Sequence, residues 1–304
     1  MLQKHNTGYR VFTVVLLVVL ALSFLFPLYW ILTGSVKEKS DILIKAGESV
    51  KWLPTTVSWD NYARLFKAQE DLFKINISVP FTDMAYTIVG PTVPRALRWL
   101  ANSVFISLAS MLLTCMTASL AGYALAKKEF YGRAFFFSLI VCAMALPKQV
   151  ILIPLLTVMK NLGLVDSLWA VIFPVVGWPF GVFLMKQFSE TIPTSLLEAS
   201  RIDGAGEFRT FFNVAFPIIK PGFGALAIFT FINAWNEYPL QLVMLHEPQA
   251  KTIALGIAGL QTEMSNDYGL IMAGAALAAV PIIIVFLMFQ KYFTQGITMG
   301  AVKG

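Results

Sequence analysis

VFTVVLLVVLALSFLFPLYWILT, residues 11–33, runs for 23 positions without a charged side chain. A helix crosses the ~30 Å hydrocarbon core of a bilayer in about 20 apolar residues, so this stretch is long enough to span one. It is also too long for the ~7–15-residue core of a cleaved leader, and Pro27, Tyr29 and Trp30 close it without a small-residue cleavage site. Three further runs are uncharged: residues 99–126, 167–185 and 268–290. Two more are each broken by a single charge, residues 134–159 by Lys148 and residues 221–245 by Glu237. Lipid supplies no hydrogen-bond partners, so each run must satisfy its own backbone as a helix. The expected fold is therefore an all-α integral membrane protein with about six transmembrane helices. Composition agrees: 57% of residues are hydrophobic and 13% charged, where a soluble chain carries about 25% charged.

Lysine and arginine in short loops orient such a chain. With the N-terminus inside, the inner side holds Lys4, Arg10, Lys127, Lys128, Arg133, Lys186, Arg201, Arg209, Lys220, Lys291 and Lys303, and the short outer loops hold only Lys160 and Lys251. Both termini are expected to be cytoplasmic in a multi-pass protein of the cell membrane. The net charge of +6 is mostly this inner bias and is no nucleic-acid footprint. Cys115 and Cys142 lie inside predicted spans, with no disulfide or metal spacing.

The chain divides into a cytoplasmic N-terminus (1–10), helix 1 (11–33), a long external loop (34–98), a five-helix core (99–292) and a cytoplasmic tail (293–304). Pro54, Pro80, Pro91 and Pro94 break the external loop with turns. The apolar stretch at 84–93 is too short and proline-rich to span. The inner loop at 190–217 is amphipathic, with Leu196, Leu197, Ile202, Phe208, Phe211, Phe212 and Phe216 among Glu190, Glu198, Arg201, Asp203, Glu207 and Arg209.

Residues 193–221 read PTSLLEASRIDGAGEFRTFFNVAFPIIKP. Ser195 and Glu198 have capping-box spacing, predicting a helix start there and a run through Ile202. Asp203-Gly204 supplies a turn, with Gly204 free to take positive φ. A second short helix is expected over 205–214, ended by Pro217. Small Ala199 and Ser200 would let a partner backbone approach closely.

This stretch resembles the EAA loop of ABC importer permeases: Glu198-Ala199-Ser200, three residues, Gly204, nine residues, then Val214-Ala215-Phe216-Pro217. Ser200, Val214 and Phe216 are mild departures. The resemblance implies a cytoplasmic coupling helix, with Glu198, Ala199, Ser200, Asp203 and Gly204 seated in a cleft of a separate ATPase. The C-terminal QKYFTQGITMGAVKG, Trp235-Asn236-Glu237 and Pro147 with Ile153-Pro154 are similar to carbohydrate-importer permeases of the maltose-system, MalG-like type. The first outer loop departs: about forty residues intervene where the family has a short link. The resemblance implies a type I importer permease for a sugar or oligosaccharide, working by alternating access. Its implied partners are a homologous second permease, two ABC ATPase subunits that bind ATP and Mg, and an extracytoplasmic substrate-binding protein. The coupling loop does not report cargo, so another solute (amino acid, peptide or polyol) stays open.

Polar residues inside spans face a cavity or a protein partner. Counting along helix 5 puts Glu237 about 24 Å beyond Pro221, in the outer half. Three readings stand for Lys148, Gln149, Asn233, Asn236 and Glu237: a lining of the translocation pathway, a structural pair such as Lys148 with Glu237, or snorkelling to the outer interface. Trp30, Trp169 and Trp178 read as interfacial or packing residues rather than sugar-stacking platforms. The sequence holds no Gly-Lys dipeptide and so no Walker A loop. Its only histidines, His5 and His246, lie outside the spans, which disfavours a membrane enzyme. A self-sufficient secondary transporter would show inverted repeats and mid-membrane coupling groups, and neither is visible. The expectation is a non-catalytic subunit with no cofactor of its own.

Overall fold

The computed structural model describes residues 7–42, 49–71, 74–78, 85–263 and 267–301. Lys4, His5, Met264 and Lys303 fall outside them. Among the described residues, five helical spans are long and apolar enough to cross a membrane, and a bent pair makes up to a sixth. The chain divides into two compact units, one drawn from residues 1–97 and 256–279, the other from 98–255 and 280–304.

In the first unit, α1 (Thr7–Ser35) presents apolar side chains all round, as a helix bathed in lipid does. Its end is tied down by the external loop. α2 (Lys39–Ile42) and α3 (Asp60–Lys67) follow, and buried Asn61 of α3 donates to the carbonyls of Ser35 (3.0 Å) and Lys37 (2.9 Å). These carbonyls would otherwise be orphaned at a helix end. Asp41 accepts from the Lys51 ammonium (2.6 Å) and the Thr55 N–H (2.9 Å), and these bonds hold its carboxyl at about 2. Burial pushes the Lys37 ammonium below its ordinary range, against the pull of Asp41; it donates to the Lys51 carbonyl at 2.5 Å. α3 also grips the start of the last helix. Arg64 pairs with Asp267 at 2.5 Å, and Asp267 accepts from the Leu270 N–H at 3.2 Å. Burial alone would raise the Asp267 carboxyl, but these two donors outweigh it and its net shift is downward.

Between α3 and α4 the loop is a β-ribbon, which the sequence reading does not anticipate. β1 (Gln69–Asp71) pairs with β4 (Thr92–Pro94), and β2 (Lys74–Ser78) with β3 (Ala85–Val89), all antiparallel. Gln69 faces Pro94 and Ser78 faces Ala85, so both ladders share one register and form one arm. Within the stretch 84–93, read as too short to span, Ala85–Val89 and the start of Thr92–Pro94 supply the returning strands.

The second unit carries most of the core. α4 (Arg95–Lys127) enters it at Arg98; α5 (Arg133–Met144) and α6 (Lys148–Asn161) follow, then α7 (Trp169–Val176) and α8 (Pro179–Glu190). α9 (Thr194–Ile202) and α10 (Glu207–Thr210) lead through a π-turn at Phe211–Ala215 into α11 (Phe216–Trp235) and α12 (Pro239–Met244). α13 (Ile253–Glu263) and α14 (Tyr268–Ala301) cross between the two units in sequence. Cys115 and Ala118 of α4, Met185 and Phe188 of α8 and Ile219 and Leu226 of α11 share one buried cluster. The helices approach closely where side chains are absent. A Cβ on Gly122 would lie 2.6 Å from the Lys186 backbone nitrogen, and one on Gly222 would lie 2.3 Å from the Phe188 ring. Cys115 is buried and Cys142 exposed, and both are free thiols.

Three expected spans are not straight. The third bends by 106° between α5 and α6. The fourth breaks at Gly177-Trp178, and the fifth ends at Trp235 instead of running to residue 245. Each break precedes a proline: Pro147, Pro179 and Pro239. Proline disfavours helical backbone in the residue before it and lacks the N–H that would continue the ladder. At the C-terminus, α14 remains helical through Ala301, well into the stretch 293–304 set apart above as a tail.

Candidate functional site

Two clusters in the second unit hold the candidate residues. The first is α9, its turn and α10. α9 starts one residue before the expected Ser195 cap. Pro193 is the N-cap, in extended backbone, with no side-chain capping bond. The expected Ser195–Glu198 capping box is therefore not formed, because Pro193 takes the cap position and Ser195 already lies in the first turn. The far end is a Schellman closure: the Gly204 N–H bonds the Arg201 carbonyl (3.0 Å) and the Ala205 N–H the Ser200 carbonyl (3.0 Å). Gly204 has φ +76° and Asp203 is the C-cap, as Asp203-Gly204 suggests.

The burial of this element sorts the expected contact residues. Glu198 and Ala199 are exposed. Ser200 is not; its hydroxyl donates to the Leu197 carbonyl (2.9 Å) and meets the buried Thr210 hydroxyl at 3.0 Å. Ser200 therefore joins α9 to α10 and offers no surface for an approaching partner. The exposed face instead carries Ile202, 86% exposed, and Phe208, 74% exposed. The sequence reading counted both as part of the loop's apolar pattern and not as contact residues. Glu207 pairs with Lys128 and, at 3.6 Å, with Arg201. The Tyr123 ring lies 5.2 Å from that of Phe211, tilted by 60°, so α4 packs against the element.

Pro217 does not end a helix here. Chain from Glu207 to Trp235 is one span. The π-turn before Pro217 widens the ladder where the proline has no N–H and its ring crowds the preceding turn. α10 is thus continuous with α11 through the π-turn.

The second cluster lies at the three proline breaks. Lys148 opens α6, Trp178 is the N-cap of α8, and Glu237 sits between α11 and α12. The Lys148 ammonium lies over the Trp178 ring and 3.6 Å from the Glu237 carboxylate. Glu237 also accepts weakly from the Leu240 N–H, at 3.4 Å. Placing Glu237 within a continuous helix 5 is thus corrected: Pro239 breaks the helix and leaves the carboxylate at the break. Asn233 is apart from this pair, its amide donating to the Phe229 carbonyl at 2.8 Å. Asn236 caps α11, and it and Gln149 are exposed. Of the five expected pathway residues, the fold brings together Lys148 and Glu237 and adds Trp178.

Apolar spans broken at prolines, two of them linked by an exposed helix–turn–helix, are those of a multi-pass membrane protein. Comparison with known proteins makes this particular. The sequence profile described as "Binding-protein-dependent transport system inner membrane component" matches residues 118–299, and the chain belongs to that family. It is 34% identical over 304 residues to the arabinooligosaccharides transport system permease protein AraQ of Bacillus subtilis strain 168, covering 99% of each chain. It is 30% identical to the melibiose/raffinose/stachyose import permease protein MelC of the same organism, covering 97% of each. A solved bacterial ABC transporter that imports the acidic polysaccharide alginate shares its fold, with TM-score 0.75, 22% identity and coverage of 96% of this chain and 99% of that one. The fold is the type I importer permease fold.

Proposed function

We propose that this chain is a permease subunit of an ATP-driven, binding-protein-dependent importer of a neutral oligosaccharide, and that α9 with its turn seats in a separate ATPase. One observation carries the coupling: Ile202 and Phe208 stand exposed beside Ala199 on a braced element that continues into a membrane span. Water disfavours such apolar side chains, and a rigid apolar knob suits a partner's cleft. The cargo class follows the relatives, which are named for arabinooligosaccharide and for melibiose, raffinose and stachyose transport. The inner-side excess of Lys and Arg supports cytoplasmic placement of α9 and α10, facing an ATPase pair, and a substrate-binding protein delivers the cargo from outside. A homologous permease completes the assembly.

The test is co-expression with the ATPase, second permease and binding protein, followed by co-purification and uptake of arabinotriose. Ile202→Glu and Phe208→Glu should leave the chain in the membrane and strip the ATPase from it. Full ATPase retention and normal uptake in both variants would remove the coupling assignment.

A further inference from the structure

We propose that the three proline breaks together form a subsite for one ring of a neutral saccharide, with Trp178 as its stacking face and Lys148 as the group the sugar displaces. This rests on the sugar-import reading above and adds a binding site to it.

The first support is shape. A cavity of about 130 Å³ lies among α5, α6, α7, α8 and the α11–α12 break, lined at its polar end by Lys148, Trp178 and Glu237. An engineered cavity of about 150 Å³ binds benzene, so this space is of the size of a single six-membered ring. The rest of the wall is apolar, including Leu152, Leu155 and Leu240, and suits the C–H face of a sugar.

The second support is charge. Lys148 and Glu237 cancel, so the cavity has no net charge to favour an anion, whether an acidic sugar or an anionic lipid headgroup. An ammonium that only donates, next to a carboxylate that only accepts, matches hydroxyl groups, which do both.

The third is the occupancy of the ring. The Lys148 cation covers the face of Trp178. The same ammonium is already paired with the Glu237 carboxylate at 3.6 Å. A sugar ring stacking on Trp178 would displace Lys148 from the indole while its pairing with Glu237 keeps it from being left as a bare charge. Trp178 and Val175 also line a second, smaller cavity with Thr114, Thr230 and Asn233. The Thr114 hydroxyl in its wall is buried and without a hydrogen-bond partner. This gives Asn233 a place on the same route, one step beyond the indole.

The experiment uses the complete transporter, reconstituted with binding protein and ATPase, and radiolabelled arabinotriose retained after trapping with a non-hydrolysable nucleotide. Trp178→Ala should lower retained sugar about tenfold, a loss of one stacking contact with its burial. Trp178→Phe should stay within about threefold of wild type, because it keeps a flat face. Lys148→Gln with Glu237→Gln should lower retention as Trp178→Ala does. Wild-type retention in Trp178→Ala, or equal loss in Trp178→Phe, would overturn the subsite while leaving the importer reading standing. Failure of the wild-type complex to retain or transport arabinotriose, raffinose or stachyose would overturn the sugar reading and the subsite with it. A phospholipid that co-purifies with wild type and is lost from Trp178→Ala would mark the cavity as a lipid site and also overturn the proposal.

Discussion

The hydroxyls of Ser200 and Thr210 lie 3.0 Å apart, both buried, and tie α9 to α10. Ser200 donates to the Leu197 carbonyl, so the proton between the two hydroxyls comes from Thr210. The pair is therefore asymmetric. Ser200→Ala removes the acceptor and should cost about 1–3 kcal/mol, because it strands a buried donor. Thr210→Val keeps the bond to Leu197 and should cost about 1 kcal/mol. Thermal unfolding of the solubilised chain should rank wild type above Thr210→Val and Thr210→Val above Ser200→Ala. The double variant should fall no further than Ser200→Ala, since one hydrogen bond is shared. The reverse ranking would mean that the two hydroxyls do not brace the element.

The external loop should respond to acid through Asp41. Its carboxyl is held at about 2 in the fold, against an ordinary value of 3.8, by Lys51 and Thr55. A depressed carboxyl stabilises the folded loop above its ordinary value and loses that contribution as pH falls toward its folded value. The window is therefore about pH 4 down to about pH 2. Pepsin works across this range. At pH 4 the wild-type loop should be cut more slowly than Asp41→Asn, and by pH 2 the two should be cut alike. A difference that persists unchanged to pH 2 would place the protection elsewhere.

Helix identity was legible where charge was absent over a bilayer's width, because the solvent imposes that pattern on any spanning helix. The turn at Gly204 was legible because only a positive φ closes α9 in a Schellman motif there. Straightness was not. Pro147, Pro179 and Pro239 were in plain sight, but a proline within an apolar run either kinks a helix or restarts it, and Pro27, Pro221 and Pro281 lie inside continuous helices. Which outcome occurs depends on what packs at the break. The exposure of Ile202 and Phe208 was illegible for a related reason. An amphipathic loop has two faces, and sequence does not say which one the chain itself covers. The same limit hid the inward turn of Ser200. The β-arm escaped notice because its strands are only three to five residues long and lie in a segment rich in turn residues, where strand preference is set by the cross-strand partner rather than by the residues alone.

The β-arm should be dispensable for folding of the rest. Its base is closed by Gln69–Asp71 against Thr92–Pro94, and Arg95 at the start of α4 pairs with Glu70 at 2.9 Å. Joining Asp71 to Thr92 through Asn-Gly preserves that base and installs a turn suited to a two-residue hairpin. The shortened chain should reach the membrane at wild-type level and co-purify with the ATPase. Failure to accumulate would show that the arm holds the first unit together. A two-stranded ribbon is marginal by itself, so loss of uptake alone would point to an external partner that the arm meets.

The strongest prediction concerns the outer face of α9, where the chain itself imposes almost no constraint. A Cβ built on Gly204 meets nothing within 4 Å, so a substitution there suffers only from backbone geometry. At φ +76° that costs about 1–2 kcal/mol for an L-residue, and more for a β-branched one. Gly204→Asn should stay near wild type, because asparagine tolerates this region, and Gly204→Val should distort the turn. Ala199 is different: it is exposed and its backbone is helical. Ala199→Trp should leave thermal unfolding of the chain within about 0.5 kcal/mol of wild type, as a surface change does. Any larger effect must come from a body pressed against α9. If α9 seats in an ATPase cleft, Ala199→Trp should abolish ATPase co-purification and sugar uptake while the chain remains stable in the membrane, because bulk in a close-packed contact displaces backbone. Gly204→Val should lose both stability and uptake, and Gly204→Asn neither. Normal ATPase retention and uptake in Ala199→Trp would mean that nothing packs on this face, and the coupling role would then have to be sought on another surface.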